Sequence, residues 1–277
     1  MKNILITMIR YGRILITMSE EHKKYLKQIK KNKITIVTLQ ISLALFIIIL
    51  WQISANNSWI NTFISSSPKE IIKTIIKLYN NGSLIHHIFI TFYEVVISFI
   101  LGTSIGVFIA SVLWRFDPLF KILDPYLTML NSMPKVSLGP IIIIIAGAGT
   151  KSIILMALLI SVIITIIDIH EAFIQTDKNK IKLLQSLKAN KKQIFFKLVL
   201  PSNYNNLINM FKVNIGLVFI GVIMGEFLVS KAGVGYLIMY GSQIFNLNLV
   251  MTGIILLMIM ASLMYYIIII IEKKITK

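Results

Sequence analysis

The chain has 277 residues, of which 56% are hydrophobic and only 14% charged, and its mean hydropathy is +0.82. An ordinary soluble domain carries about a quarter charged residues, so lipid rather than water must surround most of this chain. The formal net charge of +17 invites a nucleic-acid reading, but the lysines gather at the margins of apolar runs rather than on an aromatic-bearing face, which sets that class aside. The absence of cysteine excludes disulfides, thiolate metal sites and a cysteine nucleophile.

Residues 1–33 form a basic N-terminal segment with nine lysines and arginines. Its apolar stretch, 4–17, is interrupted by Arg10 and Arg13 and is too short to span, which suits an amphipathic helix at the membrane surface. A start at Met18 is the alternative, since Ser19 onward reads as a basic lead-in to a first span. A hydrocarbon core about 30 Å thick takes roughly 20 apolar residues as helix. Six segments meet that demand: 34–53, 84–114, 122–146, 152–169, 207–228 and 247–271. The chain is thus expected to be all-α, a polytopic membrane helix bundle.

Between the first two spans, Ser67-Pro68-Lys69-Glu70 has the form of a helix start, with Ser67 as N-cap and Pro68 in the first helical position. A short amphipathic helix to Tyr79 follows, ended by Asn80-Asn81-Gly82. The second span carries Glu94 and a Gly102/Gly106 pair that permits close helix approach. In the third, Pro134 and Pro140 flank Gly139, and two readings stand: a broken helix lining a cavity, or a packing kink. Gly147-Ala148-Gly149-Thr150-Lys151-Ser152 lacks the Gly-Lys pair of a phosphate loop and reads as a tight turn. Glu226, near the end of the fifth span, and Glu94 each allow a structural pairing or a pathway-lining role. Asp168 sits at a span boundary. The four histidines are scattered, no pair of acids has metal-ligand or acid/base spacing, and neither catalytic residue, metal site nor cofactor is expected.

Residues 170–206 interrupt the apolar pattern with a basic, polar insert. Ile181, Leu184 and Leu187, with Leu183 beside them, suggest one short amphipathic helix, and Ile194, Phe195, Leu198 and Val199 a second that Pro201 helps to end. Such an insert can rest on headgroups or seat in a groove of a protein partner. Lysine and arginine decide the orientation: alternating six spans from a cytoplasmic N-terminus puts 21 of the 28 on the cytoplasmic side and five outside. Both termini and the insert are then cytoplasmic.

From Asp177 to Leu200-Pro201 the insert resembles the coupling loop of ABC importer permeases, whose pattern is Glu-Ala-Ala, three residues, Gly, nine residues, Ile, one residue, Leu-Pro. Leu198 takes the Ile place, Lys188 the Gly place, and Lys182, Leu183 and Leu184 the Glu-Ala-Ala places. Ser67-Pro68, Asp124-Pro125, Met133-Pro134 and Gly225-Glu226 through Gly233-Val-Gly235-Tyr236 extend the likeness, which is closest to the nitrate, sulfonate and taurine branch. The resemblance implies a permease domain over 34–277 with 170–206 as coupling loop, a bacterial plasma-membrane location and ATP hydrolysis by a separate subunit. It implies as partners a second permease copy, two cytoplasmic ATP-binding subunits and an extracellular substrate-binding protein. The substrate class would be a small anion or a vitamin-like compound. Leu183 and Leu184 would fill the ATPase groove, while lysine at 188 strains a turn made for glycine. A proton- or cation-coupled secondary carrier using Glu94, Glu226 or Asp168 is the rival reading.

Overall fold

The computed structural model of the protein describes the backbone of residues 20–275 and the side chains of residues 24–274. The expectations for residues 4–17 and for a start at Met18 fall outside that range. Every regular element among the described residues is a helix. The described residues form two compact units, divided between residues 62 and 63.

The first unit holds one long helix, α1 (Glu20–Asn56), whose 37 residues rise about 55 Å. No proline or glycine interrupts it, so the charged lead-in and the apolar run 34–53 form one rod. Residue 33 marks a change of composition within a helix.

In the second unit α2 (Pro68–Asn80) begins with the Ser67 hydroxyl accepting from the Glu70 amide at 3.3 Å and Pro68 in the first turn. It packs against α3 (Ser83–Arg115) and α11 (Leu247–Ile275). The centre is built from α3, α6 (Thr150–Ile174) and α9 (Tyr204–Val229), with α6 packed on both others. Along α6, Ile153, Ala157, Ser161 and Thr165 follow one another at four-residue spacing. A methyl group on Gly221 or Gly225 of α9 would overlap Ala157 or Ile153, and one on Gly102 or Gly106 of α3 would overlap Ser161 or Thr165. Two Gly-x3-Gly pairs therefore let α6 meet α9 in its first half and α3 in its second, at backbone distance.

The expected third span, 122–146, is two helices. α4 (Asp117–Ser132) and α5 (Gly139–Ala146), joined by a 3-10 turn at Lys135–Leu138, are bent by 93°. Pro134 makes the break: it has no N–H to donate back to α4 and holds Met133 extended at φ −72°, ψ 137°. Pro140 causes no kink, because it lies in the first turn of α5, where no intrahelical donor is needed. Lys135 turns back and donates from Nζ to the Asn131 carbonyl at 2.8 Å, covering an acceptor at the end of α4.

Contacts at the helix termini sort into two groups. Lys191 reaches the Arg115 carbonyl, Phe120 stacks on His170, and Lys212 pairs with Glu272 at 2.8 Å. At the other end Ser66 bonds Asn248, and His87 accepts from the Gly233 amide. α4 starts in the first group, while Thr150, just after α5, is a polar neighbour of Glu94 toward the second. The bent pair thus leads from one end of the bundle toward the other.

Candidate functional site

The insert is fastened to the span ends. Asn203 is buried and donates from Nδ2 to the Thr176 hydroxyl at 2.7 Å and to the Val199 carbonyl at 2.9 Å. This closes the neck of the insert across 27 residues. Inside the neck, Asp177 caps α7 (Lys178–Ser186) by accepting from the Asn179 amide at 2.8 Å.

A second core, distinct from the one between the spans, lies at this end. Ala110 of α3, Ile169 and Phe173 of α6, Leu207 and Met210 of α9, and Ile194 and Val199 of the insert form it. Ile181 and Leu184 pack against it from α7, and Leu198 and Leu200 from the segment that follows. The apolar face expected at 181, 184 and 187 is therefore split. Leu187 is the C-cap of α7, and its amide still bonds the Leu183 carbonyl at 3.2 Å, so the last turn sets it beside Leu183 rather than beside Ile181. Leu187 is 70% exposed and Leu183 is 61% exposed. Four residues apart, they share the outward side of α7, next to exposed Lys182. Leu184, expected to enter a partner groove together with Leu183, is occupied by the protein's own core.

The turn after α7 keeps the conformation glycine would favour. Lys188 has φ +59°. Its amide bonds the Gln185 carbonyl at 2.9 Å, and the Ala189 amide bonds the Leu184 carbonyl at 3.0 Å. This is the paired bonding of a Schellman cap, with Ala189 and Leu184 both on the second core. A left-handed residue with a Cβ costs about 1–2 kcal/mol, and the cap bonds and packing hold the lysine there. The next helix, α8, opens with a reciprocal cap in which Asn190 and Gln193 each accept the other's amide, at 2.8 and 2.9 Å. It runs as α-helix over Lys191–Ile194, widens to a π turn over Phe195–Val199 and closes with Leu200–Ser202. The Leu200 amide reaches back five residues to Phe195, which accommodates Pro201, unable to donate and bulky toward the carbonyl four residues before it. Pro201 is exposed and lies within the helical run, whose end comes at Asn203.

A second polar constellation lies at the opposite end of the bundle. Glu226 is 1% exposed and accepts from the Thr91 hydroxyl at 2.6 Å, the Gly235 amide at 2.5 Å and the Tyr236 amide at 3.2 Å. Thr91 Oγ1 accepts from the Val234 amide at 2.7 Å, and His87 Nδ1 accepts from the Gly233 amide at 3.0 Å. Together these side chains satisfy the N-terminal donors of α10 (Val234–Gln243), a short helix whose N-cap glycine supplies no side chain of its own. Gly233, at φ +116°, and Gly235 leave room that any Cβ would take from the Glu226 carboxylate. Glu94, fully buried on α3, has no hydrogen-bond partner for either carboxyl oxygen, and Thr150 and Glu226 are its polar neighbours. Pro134 and Pro140 are exposed. The apolar cleft of about 330 Å3 behind α5 is lined by Ile142 and Ile145. Asp168 opens onto a separate cleft of about 290 Å3 with Glu171, Asn206 and Asn209. Among the described residues no group of three or more His, Asp or Glu could hold a metal ion.

His87, Thr91, Thr176 and Asn203 are structural keystones that sequence reasoning missed. Their partners lie 27 to 146 residues away, so no local pattern marks them. The four-residue spacing of Gly221 and Gly225 is the one local signal that could have found the α6–α9 contact, and Gly233-Val-Gly235, noted above only for the family likeness, does not name the carboxylate that approaches it.

The aliphatic sulfonates transport permease protein SsuC of Bacillus subtilis (strain 168) is 27% identical over 83% of this chain and 84% of its own length. The formylaminopyrimidine transport permease protein ThiX of Halalkalibacterium halodurans is 22% identical over 69% and 76%. The inward-facing MetNI methionine ABC transporter superposes with a TM-score of 0.63 at 18% identity, covering 71% of this chain and 97% of its own, and so shares the fold. The rival reading as a secondary carrier receives no support from these likenesses. Residues 102–277 match the family described as binding-protein-dependent transport system inner membrane component, and the chain belongs to that family, the multi-pass permease subunits of ABC importers.

Proposed function

We propose that this permease pairs with a second copy of itself in the bacterial plasma membrane, with both termini and the insert cytoplasmic. α7 docks into a separate ATP-binding subunit, which carries out the hydrolysis, and an extracellular binding protein delivers the substrate. The observation that carries the docking reading is the outward pair Leu183 and Leu187, exposed on a helix whose other side is pinned by Ile181 and Leu184 to the chain's own core. A helix held in that way moves with the spans to which it is fastened, so closure of the ATPase is transmitted to the bundle. Asp177 and Lys188 set the two ends of the docking helix, Lys182 adds a cation at the contact, and Leu200 and Pro201 tie it to α9.

The substrate is a small anion such as a sulfonate, or a vitamin-like compound. The named substrates of SsuC and ThiX support those two classes. Glu226 serves as the structural cap of α10, Glu94 lies in the interior of the bundle, Pro134 breaks the third span and Pro140 starts α5.

The chain lacks cysteine, so one placed at Leu183 reports cleanly on the contact. A disulfide to a cysteine in the groove of the cognate ATP-binding subunit is expected, and none from Leu184→Cys. Disulfide formation only from position 184 sinks the docking assignment. Uptake of radiolabelled taurine or thiamine precursor by proteoliposomes, with and without the binding protein, separates the substrate classes.

A further inference from the structure

Where α3 meets the insert, a cleft of about 550 Å3 opens at the membrane face. Its length comes from α3: the eight residues from Phe108 to Arg115 rise about 10 Å. Trp114 and Phe195, with ring centroids 5.1 Å apart, close one wall. Phe108 and Phe196 stand exposed beside it, at 68% and 57%. The cations lie at one end only. Arg115 sits 5.5 Å over the Phe116 ring, Lys192 lines the same mouth from α8, and Lys191 reaches the Arg115 carbonyl at 3.5 Å. Among the described residues lining the cleft there is no carboxylate.

An apolar trough with a cationic mouth at the end of a membrane helix has the chemistry of a phospholipid with an anionic headgroup: acyl chain along the aromatics, phosphate at Arg115 and Lys192. We propose that this cleft binds one anionic phospholipid, which bridges α3 to the coupling insert. The headgroup adds a polar tie between two elements that the protein itself joins through the second core, the Trp114–Phe195 contact and one long hydrogen bond. The lipid comes from the cytoplasmic leaflet if the insert is cytoplasmic. The site itself does not depend on that orientation, because binding in detergent reads it either way.

The test is native mass spectrometry of the full chain in detergent, titrated with palmitoyl-oleoyl phosphatidylglycerol or the matching phosphatidylcholine. One phosphatidylglycerol per chain is expected to outlast the others. Each cation near a phosphate strengthens binding roughly five-fold, so Arg115→Gln with Lys192→Gln is expected to weaken that one by about 30-fold. Lys178→Gln with Lys180→Gln removes the same charge from α7 and leaves it unchanged. Val112→Trp, which fills the trough and keeps every cation, also abolishes it. Equal weakening by the α7 pair, equal retention of phosphatidylcholine, or full retention in the Val112→Trp chain overturns the proposal. So does shielding of Phe196→Cys from a maleimide by the ATP-binding subunit but not by phosphatidylglycerol, which makes the cleft a protein interface.

Discussion

Glu226→Ala and Glu226→Gln separate a structural carboxylate from one that works by its charge. In the native protein the carboxylate receives three donors: the Thr91 hydroxyl and the amides of Gly235 and Tyr236. Alanine leaves all three without an acceptor in a site from which water is excluded. At about 1–3 kcal/mol for each buried donor left unmade, and with the Thr91 hydroxyl free to rotate to another acceptor, the two amides set the expected cost at about 2–6 kcal/mol. For a chain of this size that lowers the apparent melting temperature by about 5 °C or more. Glutamine keeps an oxygen for the two amides, and its amide group can donate to Thr91, so its cost is expected near 1 kcal/mol. The assay is thermal unfolding of the purified chain in detergent, read by intrinsic fluorescence and by loss of monodisperse protein. If glutamine destabilises as much as alanine, the charge and not the acceptor geometry is what matters, and the capping argument fails. If both substitutions leave melting unchanged, α10 does not depend on Glu226 at all.

Lys188→Gly removes the left-handed strain of about 1–2 kcal/mol but loosens the unfolded turn, for a net gain of about 0.5–1 kcal/mol. Hydrogen exchange at residues 184–189 is expected to slow two- to five-fold, whereas Lys188→Ala changes nothing; equal slowing by alanine refutes the strain. Asn203→Ala opens the neck and strands the buried Thr176 hydroxyl, at about 1–3 kcal/mol. Limited proteolysis within 177–202 should then accelerate, and an unchanged digestion pattern counts against the neck. Gly221→Val drives a side chain into the Ala157 backbone, and overpacking of this kind costs about 1–3 kcal/mol or more. A melting temperature equal to wild type would mean that α6 and α9 are not in backbone contact. Leu183→Glu with Leu187→Glu should leave melting within a few degrees and abolish co-purification of the ATP-binding subunit; retained co-purification moves the docking face elsewhere.

Hydrophobic run length was sufficient to locate the long apolar helices, apart from the break in the third expected span, and to single out the insert. A helix in lipid must satisfy its backbone within itself, so the requirement of roughly 20 apolar residues is local and leaves a local trace. The caps at Ser67, Asp177 and Asn190 are local for the same reason, each side chain reaching an amide two or three residues on. The family pattern has glycine for a tight turn at position 188, which lysine put in doubt, and the turn's geometry persists at φ +59° without the glycine.

Other features depended on distant neighbours. Pro134 and Pro140 are the same residue six positions apart, yet one breaks the third span and the other starts a helix, because the effect depends on whether the donor it lacks was needed there. Helical spacing grouped Ile181, Leu184 and Leu187 on one face but did not say which of them a core would cover. The second core drew in the first two and left Leu183 and Leu187 outward. Glu226 in a sequence is an expensive carboxylate in lipid, and its partners on α3 and α10 decide that it is a cap. The sequence alone determined which segments enter the membrane, since that follows from the free energy of each segment with its solvent. Only the tertiary structure decided which side chains remain free for partners, since that depends on what the other helices have already covered.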